Sequence, residues 1–295
     1  MDQQALLFKL AHISDLHFSK VHFSVPTLFS KEFIGNLNLL LSRSKTYKND
    51  KVASLVETLK KEQVTHVLFT GDLSTTSSEK EFEKAKEFID LLKKEKMEVI
   101  AIPGNHDNYT KRAEKKKLFY QYMQEHEKPF LGYQLQTHKV AAHFLGDNVW
   151  VVTIDTTFAC PVYRSCGKYD EQIDRYVNIL LSSIPPSDTI IFMNHFPLFD
   201  VESQRRSMQG SEILRKTLSQ FPNVKLYLHG HTHKPSILDH RKENLPIVAD
   251  SGSLSHVKKG SWHTIEIYES RCAFTTYKPT DMHKWAEHKN LSFTW

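Results

Sequence analysis

Six short apolar runs, separated by amphipathic stretches, set the pattern of this sequence, and each run ends in a polar turn. The runs occupy residues 6–13, 64–69, 98–102, 149–154, 189–193 and 225–228. Short apolar runs bounded by turn residues are typical of buried strands. The stretches between them place apolar residues at helical spacing, as at Phe82, Ala85, Phe88 and Leu92. This alternation predicts an α/β fold of stacked sheets sandwiched by helices.

The last third of the chain is richer in strands. Residues 264–268 and 273–277 alternate apolar and polar side chains, which predicts a closing antiparallel pair. Neither a repeat nor a Gly/Ser linker divides the 295 residues. We therefore expect a single domain over residues 1–295, with residues 20–51 as an inserted segment.

Five of the six turns carry side chains that bind metal ions. They are Asp15 and His17, Asp72, Asn105, His195, and the pair His231 and His233. In α/β folds ligands bind beyond the carboxyl ends of the strands, so these side chains should meet on one surface. Period-two alternation lets Asp15 and His17 point to the same side. Three glycines stand beside the ligands, where tight turns or close backbone approach would require them: Gly71, Gly104 and Gly230.

The ligand types favour divalent transition metals. Carboxylates neutralise the cation and neutral imidazoles supply strong nitrogen donors, which suits Mn2+, with Fe2+ or Zn2+ as alternatives. Seven ligands exceed what one ion normally takes from protein. Two ions about 3.5 to 4 Å apart would share them, activate a water and stabilise both the attacking and leaving oxygens at a phosphorus centre.

The order of these blocks resembles the calcineurin-like metallophosphoesterase superfamily. The blocks are D-x-H, G-D, G-N-H-D, H and G-H-x-H, and together they cover roughly residues 8–256. This resemblance implies a four-layer α/β/β/α sandwich with an apolar cap segment inserted after the first strand. It also implies hydrolysis of a phosphoester or pyrophosphate by a metal-bridging hydroxide, without a covalent enzyme intermediate.

The resemblance further implies a role for each residue of the blocks. One ion would be held by Asp15, His17 and His233, the other by Asn105, His195 and His231, with Asp72 as the bridge. His106 would stabilise charge at the scissile phosphate or protonate the leaving group. Asp107 or another carboxylate would orient the His106 ring.

The inserted segment at residues 20–51 is basic, aromatic and apolar. Its sequence is similar to the cap of chlamydial-type UDP-2,3-diacylglucosamine pyrophosphohydrolases of lipid A synthesis, at Phe33, Asn36, Leu37, Leu40, Leu41, Arg43, Lys45 and Tyr47. That resemblance implies an acylated UDP-sugar as substrate and 2,3-diacylglucosamine 1-phosphate (lipid X) and UMP as products. An apolar clamp beside a dimetal site would suit two acyl chains, reached at the inner membrane surface.

Three alternatives stay open. The segment could simply cover the core, since most apolar stripes are core. The enzyme could then be a soluble cyclic nucleotide or nucleotide phosphodiesterase of the same superfamily. A metal-free interaction scaffold is the third alternative, but it would be expected to have lost ligands, and every block is intact.

Composition narrows the compartment and the partners. The net charge of +5 mildly favours anionic partners, such as phosphorylated substrates, nucleic acid or an anionic membrane surface. The superfamily resemblance implies a phosphate-containing small molecule among these. Basic and aromatic residues are not interleaved outside residues 20–51, so we expect no nucleic acid, and no protein partner is indicated. Three cysteines, the lack of a signal-peptide pattern and the lack of an apolar stretch of about 18 residues predict a cytoplasmic protein. The resemblance to the lipid A enzymes implies that it is peripheral at the cytoplasmic face of the inner membrane.

Overall fold

The structure is a computed structural model. It describes residues 5–19, 51–123, 129–161, 163–201, 203–256, 259–281 and 284–295. In chain order the strands are β1 (Leu6–Ile13), β2 (His66–Phe69), β3 (Glu98–Ala101), β4 (Val140–Gly146), β5 (Val149–Ile154), β6 (Gly167–Lys168), β7 (Thr189–Met193), β8 (Met208–Gln209), β9 (Val224–His229), β10 (Ser236–Asp239), β11 (Ile247–Asp250), β12 (Trp262–Tyr268), β13 (Arg271–Pro279) and β14 (Trp285–Thr294).

Helices flank these strands. They are α1 (Lys51–Lys61), α2 (Glu79–Lys94), α3 (Lys111–Lys116), α4 (Leu118–Tyr122), α5 (Leu135–His138), α6 (Glu171–Ser183) and α7 (Ser211–Leu218), with short 3-10 turns at Phe130–Gly132 and Arg241–Glu243. Ser78 N donates to Glu81 Oε2 at 3.2 Å at the start of α2, and Asp170 caps α6 through Ile173 N. No helix in the described ranges is long and apolar enough to cross a membrane.

Two six-stranded sheets form the centre of the fold. The first has the order β14-β13-β12-β1-β2-β3, with β1, β2 and β3 parallel. The second has the order β10-β11-β9-β7-β5-β4, with β5, β7, β9 and β11 parallel and antiparallel strands at both edges. Parallel neighbours end at the same edge of a sheet, so the turns that follow them lie together.

Three apolar layers hold the sheets and helices together. Helices α1 and α2 pack on the outer face of the first sheet, through residues such as Leu55 and Phe82. Helices α6 and α7 pack on the outer face of the second sheet, through Val177 and Leu214. The inner faces of the two sheets meet in the middle layer. The resulting α/β/β/α sandwich confirms the predicted fold class.

Most predicted strands are present. The runs at residues 6–13, 149–154 and 189–193 match β1, β5 and β7, and the other three differ from β2, β3 and β9 only at their ends. The sequence reasoning missed the edge strands β4, β10 and β14 and the two-residue strands β6 and β8. Most side chains of β14 are exposed, so this strand lacks the apolar alternation that identifies a buried one.

Residues 20–50 lie outside the described ranges. The eight predicted substrate-binding residues from Phe33 to Tyr47 belong to that segment, and their assignment stays a prediction. Described backbone resumes at Lys51, the first residue of α1.

Candidate metal centre

The seven predicted ligands meet at the carboxyl ends of strands from both sheets. The turns after β1, β2 and β3 carry Asp15, His17, Asp72 and Asn105, and the turns after β7 and β9 carry His195, His231 and His233. Six of these residues are at most 7 % exposed. The seventh, His233, has a side chain that is 23 % exposed. This arrangement is the one expected when one surface collects the ends of parallel strands.

Three donor atoms form a first group. His17 Nε2 lies 3.2 Å from His233 Nε2, and Asp15 Oδ1 lies 2.9 Å from His233 Nε2 and 3.6 Å from His17 Nε2. Ligand atoms about 2.1 Å from one ion are about 3.0 to 3.4 Å apart in octahedral or tetrahedral geometry. The three separations bracket that range, so this group fits a divalent ion.

Asn105, His195 and His231 form a second group. Asn105 Oδ1 lies 3.1 Å from His195 Nε2 and 2.9 Å from His231 Nδ1. Burial lowers the pKa of His195 and that of His231, so both imidazoles are neutral near pH 7.

The hydrogen bonds of the two rings decide where their protons lie. His195 Nδ1 donates to Thr70 O at 2.8 Å, and His231 Nε2 donates to Arg206 O at 2.8 Å. The opposite nitrogen of each neutral ring therefore carries a lone pair. Both lone pairs face Asn105 Oδ1, which is itself an acceptor. A divalent cation among these three atoms would pair with all of them, so the second group also fits a metal ion.

Asp72 lies between the two groups. Its Oδ2 is 3.9 Å from His17 Nε2 in the first group and 3.5 Å from His195 Nε2 in the second. Its Oδ1 accepts a hydrogen bond from His106 N at 2.7 Å, which fixes the plane of the carboxylate. The Asp72 carboxylate is therefore within 4 Å of a donor nitrogen in each group.

Five of the seven ligands have left-handed backbone conformations. The φ angles are +54° for Asp15, +49° for His17, +55° for Asp72, +72° for His231 and +58° for His233. Such conformations cost about 1 to 2 kcal/mol for a non-glycine residue and persist where the surrounding structure enforces them. Asp15 and His17 therefore converge through a strained loop beyond β1, and not through strand alternation as the sequence argument assumed.

Gly104 and Gly230 permit close approach of the ligand turns. A Cβ atom at Gly104 would lie 2.8 Å from Asp72 Cγ, and one at Gly230 would lie 2.5 Å from Asp15 Oδ2. Both distances are shorter than real Cβ contacts, so any side chain here would displace a predicted ligand. The expected role of these two glycines is confirmed.

His106 lies at the rim of the centre. Its side chain packs edge-on against His17, with ring centroids 4.9 Å apart, and stacks on Tyr109 at 5.4 Å. His106 Nδ1 donates to Thr75 O at 2.7 Å, which fixes the ring orientation. Ligand atoms of His106, His17 and Asp72 lie within 4.8 Å of one another. A phosphate bound at the centre would therefore be within reach of this ring.

Asp107 is fully buried and faces the backbone. Its carboxylate accepts hydrogen bonds from Leu73 N at 3.1 Å, Gly104 N at 2.9 Å, and Ser74 N and Oγ, both at 2.8 Å. The described partner of the His106 ring is a carbonyl, that of Thr75, instead of the carboxylate suggested from the sequence. These contacts tie the turn after β3 to the turn after β2, and so hold Asp72 and Asn105 in register.

A buried polar layer behind the ligands was missed by sequence reasoning. His263 Nε2 donates to Asp250 O at 2.8 Å, and Asp250 Oδ2 accepts from Thr232 Oγ1 at 2.6 Å. Thr232 stands between two predicted ligands, so this chain of contacts supports their turn. Asp250 ends β11 and the strand-end rule could have identified it, whereas His263 is the second residue of β12 and carries no such signal.

The model of the calcineurin-like phosphoesterase family matches residues 8–235, more than half of the chain. The chain belongs to that family. It is accordingly a metal-dependent phosphohydrolase, and Asp15, His17 and His233 form one of its candidate groups of metal ligands.

Two curated bacterial proteins resemble this family member in sequence. A probable glycerophosphodiester phosphodiesterase, GpdQ of Arcobacter nitrofigilis, is 24% identical over 234 residues, which cover 77% of this chain and 75% of that protein. The 3',5'-cyclic adenosine monophosphate phosphodiesterase CpdA of Haemophilus influenzae is 25% identical over 170 residues, which cover 57% of this chain and 54% of that protein.

Solved structures support the fold. A dimetal phosphatase from Danio rerio has a TM-score of 0.67 at 12% identity and covers 98% of this chain and 99% of its own. A purple acid phosphatase from yellow lupin has a TM-score of 0.64 at 12% identity and covers 99% of this chain and 54% of its own. At such identities the likeness concerns the fold alone.

Proposed function

We propose that the protein hydrolyses a phosphodiester or pyrophosphate bond at a centre of two divalent metal ions, and that these ions are Mn2+. The first ion would be held by Asp15, His17 and His233, the second by Asn105, His195 and His231, and Asp72 would serve both. The observation that carries the proposal is the position of Asp72 Oδ2, 3.9 Å from His17 Nε2 and 3.5 Å from His195 Nε2, between two groups of converging donors.

The bound ions would supply Lewis acidity for activating a water and for neutralising phosphoryl charge. The chain's own residues do the rest. Asp107 holds the two ligand turns together through four hydrogen bonds. The Thr75 carbonyl holds the His106 ring through Nδ1, so that Nε2 can donate to a phosphoryl or leaving oxygen when the ring is protonated. The buried ligands exclude bulk water and strengthen these interactions.

For the substrate we propose UDP-2,3-diacylglucosamine, cleaved to lipid X and UMP at the cytoplasmic face of the inner membrane. The support is the pattern from Phe33 to Tyr47 and its place in the chain. The segment starts at residue 20, three residues after the ligand His17. Described backbone ends at Ser19, next to Phe18, whose amide donates to Leu73 O beside Asp72. Phe18 therefore lies beside the turn that carries Asp72, and the acyl-binding role belongs to the sequence that follows Ser19.

A second candidate is a small soluble phosphodiester, either a cyclic nucleotide or a glycerophosphodiester. The support is the printed activity of the two sequence relatives, whose names specify substrates of those kinds. The same metal ligands would support hydrolysis of either substrate, so the two proposals are distinguished only by measuring which substrate the protein prefers.

The test compares three substrates with Mn2+-loaded protein: UDP-2,3-diacylglucosamine, cyclic AMP and bis-p-nitrophenyl phosphate. The informative variant replaces Phe33, Leu37 and Leu40 by Ser. Its matched control replaces one Phe and two Leu that are exposed elsewhere in the fold: Phe144, Leu131 and Leu238. Thermal unfolding of all three proteins verifies that they are folded.

We expect the wild type to convert the acylated UDP-sugar fastest. The segment variant should lose that activity and keep hydrolysis of bis-p-nitrophenyl phosphate, while the control variant keeps both. Faster turnover of cyclic AMP, or equal loss of both activities in the segment variant, would overturn the acyl-substrate proposal. Inactivity of the wild type on every phosphodiester would overturn the proposed function itself.

A further inference from the structure

Two buried thiols lie side by side in the loop between β5 and β6. Cys160 Sγ is 3.4 Å from Cys166 Sγ and donates a hydrogen bond to Cys166 O at 3.1 Å. The third thiol, Cys272, is fully buried in β13 of the other sheet. A disulfide requires sulfur atoms about 2.05 Å apart, so a relative movement of roughly 1.4 Å would join Cys160 to Cys166.

The thiol loop is hydrogen-bonded to the segment that orients a predicted metal ligand. Ser165 N donates to Arg205 O at 2.9 Å, and the next residue, Arg206, accepts the hydrogen bond of His231 Nε2 through its carbonyl at 2.8 Å. The residue before Cys166 is therefore bonded to Arg205, and the residue after Arg205 holds the His231 ring.

Packing provides a second connection from the loop to His231. Gly167 follows Cys166, and a Cβ atom there would lie 2.5 Å from Phe196 Cδ2, so the backbone at Gly167 is pressed against the Phe196 ring. That ring packs on the imidazole of His231, with centroids 4.7 Å apart. A shift of the backbone around Cys166 would therefore reach His231 by two routes.

We propose that Cys160 and Cys166 are a reversible oxidation site that weakens metal binding at His231 when the disulfide forms. The oxidant is a small peroxide. Cys160, the more exposed of the two at 7 %, attacks a peroxide oxygen, and the O–O bond breaks to give a sulfenic acid and water. Cys166 Sγ then attacks the Cys160 sulfur, releasing a second water and forming the S–S bond. A dithiol reductant restores both thiols as it becomes a disulfide itself.

The sequence provides a clean assay for the cross-link. Arg164 lies between the two cysteines, so trypsin places Cys160 in a peptide of residues 140–164 and Cys166 in a peptide of residues 165–168. After treatment of the full-length protein with hydrogen peroxide, mass spectrometry should find these peptides joined. Dithiothreitol should separate them. The variant Cys166→Ser should give no joined peptide, and the control Cys272→Ser should behave as wild type.

The effect on the centre is measured by calorimetric titration of Mn2+ into reduced and oxidised protein. Loss of an outer hydrogen-bond partner of a ligating histidine lowers metal affinity about 10- to 100-fold, so we expect at least about tenfold weaker binding of one of two Mn2+ ions in the oxidised protein. Cys166→Ser should show no such change after peroxide treatment. This coupling rests on the proposed metal centre, whereas the cross-link does not.

Absence of the joined peptide, or its formation only between separate molecules, would overturn the oxidation site. A joined peptide with unchanged Mn2+ affinity would overturn the coupling to His231. Absence of any Mn2+ binding in the reduced protein would instead count against the proposed function, which keeps the two failures distinguishable.

Discussion

Gly104→Ala should disable the metal centre while leaving the fold intact. The new Cβ would lie 2.8 Å from Asp72 Cγ and closer still to Asp72 N and Oδ1, whereas ordinary contact begins at 3.4 Å. Asp72 or the turn at residue 104 must therefore move by roughly 1 Å, and overpacking of this size costs about 1 to 3 kcal/mol of stability. A displacement of about 1 Å at a reacting centre lowers the rate about 100-fold.

The matched control is Gly132→Ala, in which the added Cβ would have no atom within 4 Å. Gly132 has a φ of +78°, so alanine there costs about 1 to 2 kcal/mol through the backbone alone. The two variants should lose similar stability in urea denaturation. Only Gly104→Ala should lose Mn2+ affinity in calorimetry and about 100-fold in turnover of bis-p-nitrophenyl phosphate.

Normal Mn2+ affinity and normal turnover in Gly104→Ala would refute the reasoning, because they would mean that Asp72 can be displaced without consequence. Equal catalytic loss in Gly132→Ala would show that the effect reports general destabilisation instead of a displaced ligand.

Three further substitutions test other parts of the site. Asp72→Asn should abolish turnover and weaken Mn2+ binding, because the ligand shared by both groups loses its charge. His106→Ala should retain two Mn2+ ions per chain but lose about 100- to 10,000-fold in kcat, since the proton donor is removed without a ligand. Burial lowers the pKa of His263 to about 4. Below about pH 6.5 the unfolded chain gains this proton before the folded one, so His263 alone should contribute roughly 3 kcal/mol to the loss of stability between pH 7 and 4. His263→Gln should make the loss measured in urea denaturation smaller by about that amount.

Each of these expectations has a contrary outcome. An active Asp72→Asn protein in chelated buffer would exclude a dimetal mechanism. Turnover near that of the wild type in His106→Ala would remove the assigned role of this ring, and Tyr109→Phe serves as its control because the stacked ring is kept. An unchanged pH dependence in His263→Gln would mean that another buried group controls acid unfolding.

The ligands could be predicted because their signal is local. Each follows an apolar run directly, and parallel strands bring such turns to one edge whatever the rest of the chain does. The identity of β1, β7 and β9 as strands followed from apolar runs alone. Asp15 and His231 could thus be placed in one site although 216 residues separate them.

Other features depend on contacts that no local pattern records. Asp15 and His17 have left-handed backbone conformations. These are held by hydrogen bonds to the turn after β2, from Asp15 N to Gly71 O and from His17 N to Asp72 O. The support of Thr232 by Asp250 depends on two strands that meet only after folding. The edge strand β14 was not predicted because most of its side chains face solvent, which removes the apolar pattern of a buried strand.

The central claim is that two ions share Asp72. Anomalous diffraction from crystals grown with Mn2+ tests it most directly. We predict two manganese peaks about 3.5 to 4 Å apart, one beside His17 and His233 and the other beside His195 and His231, with Asp72 between them. A single peak, or two peaks of which only one adjoins Asp72, would contradict the account.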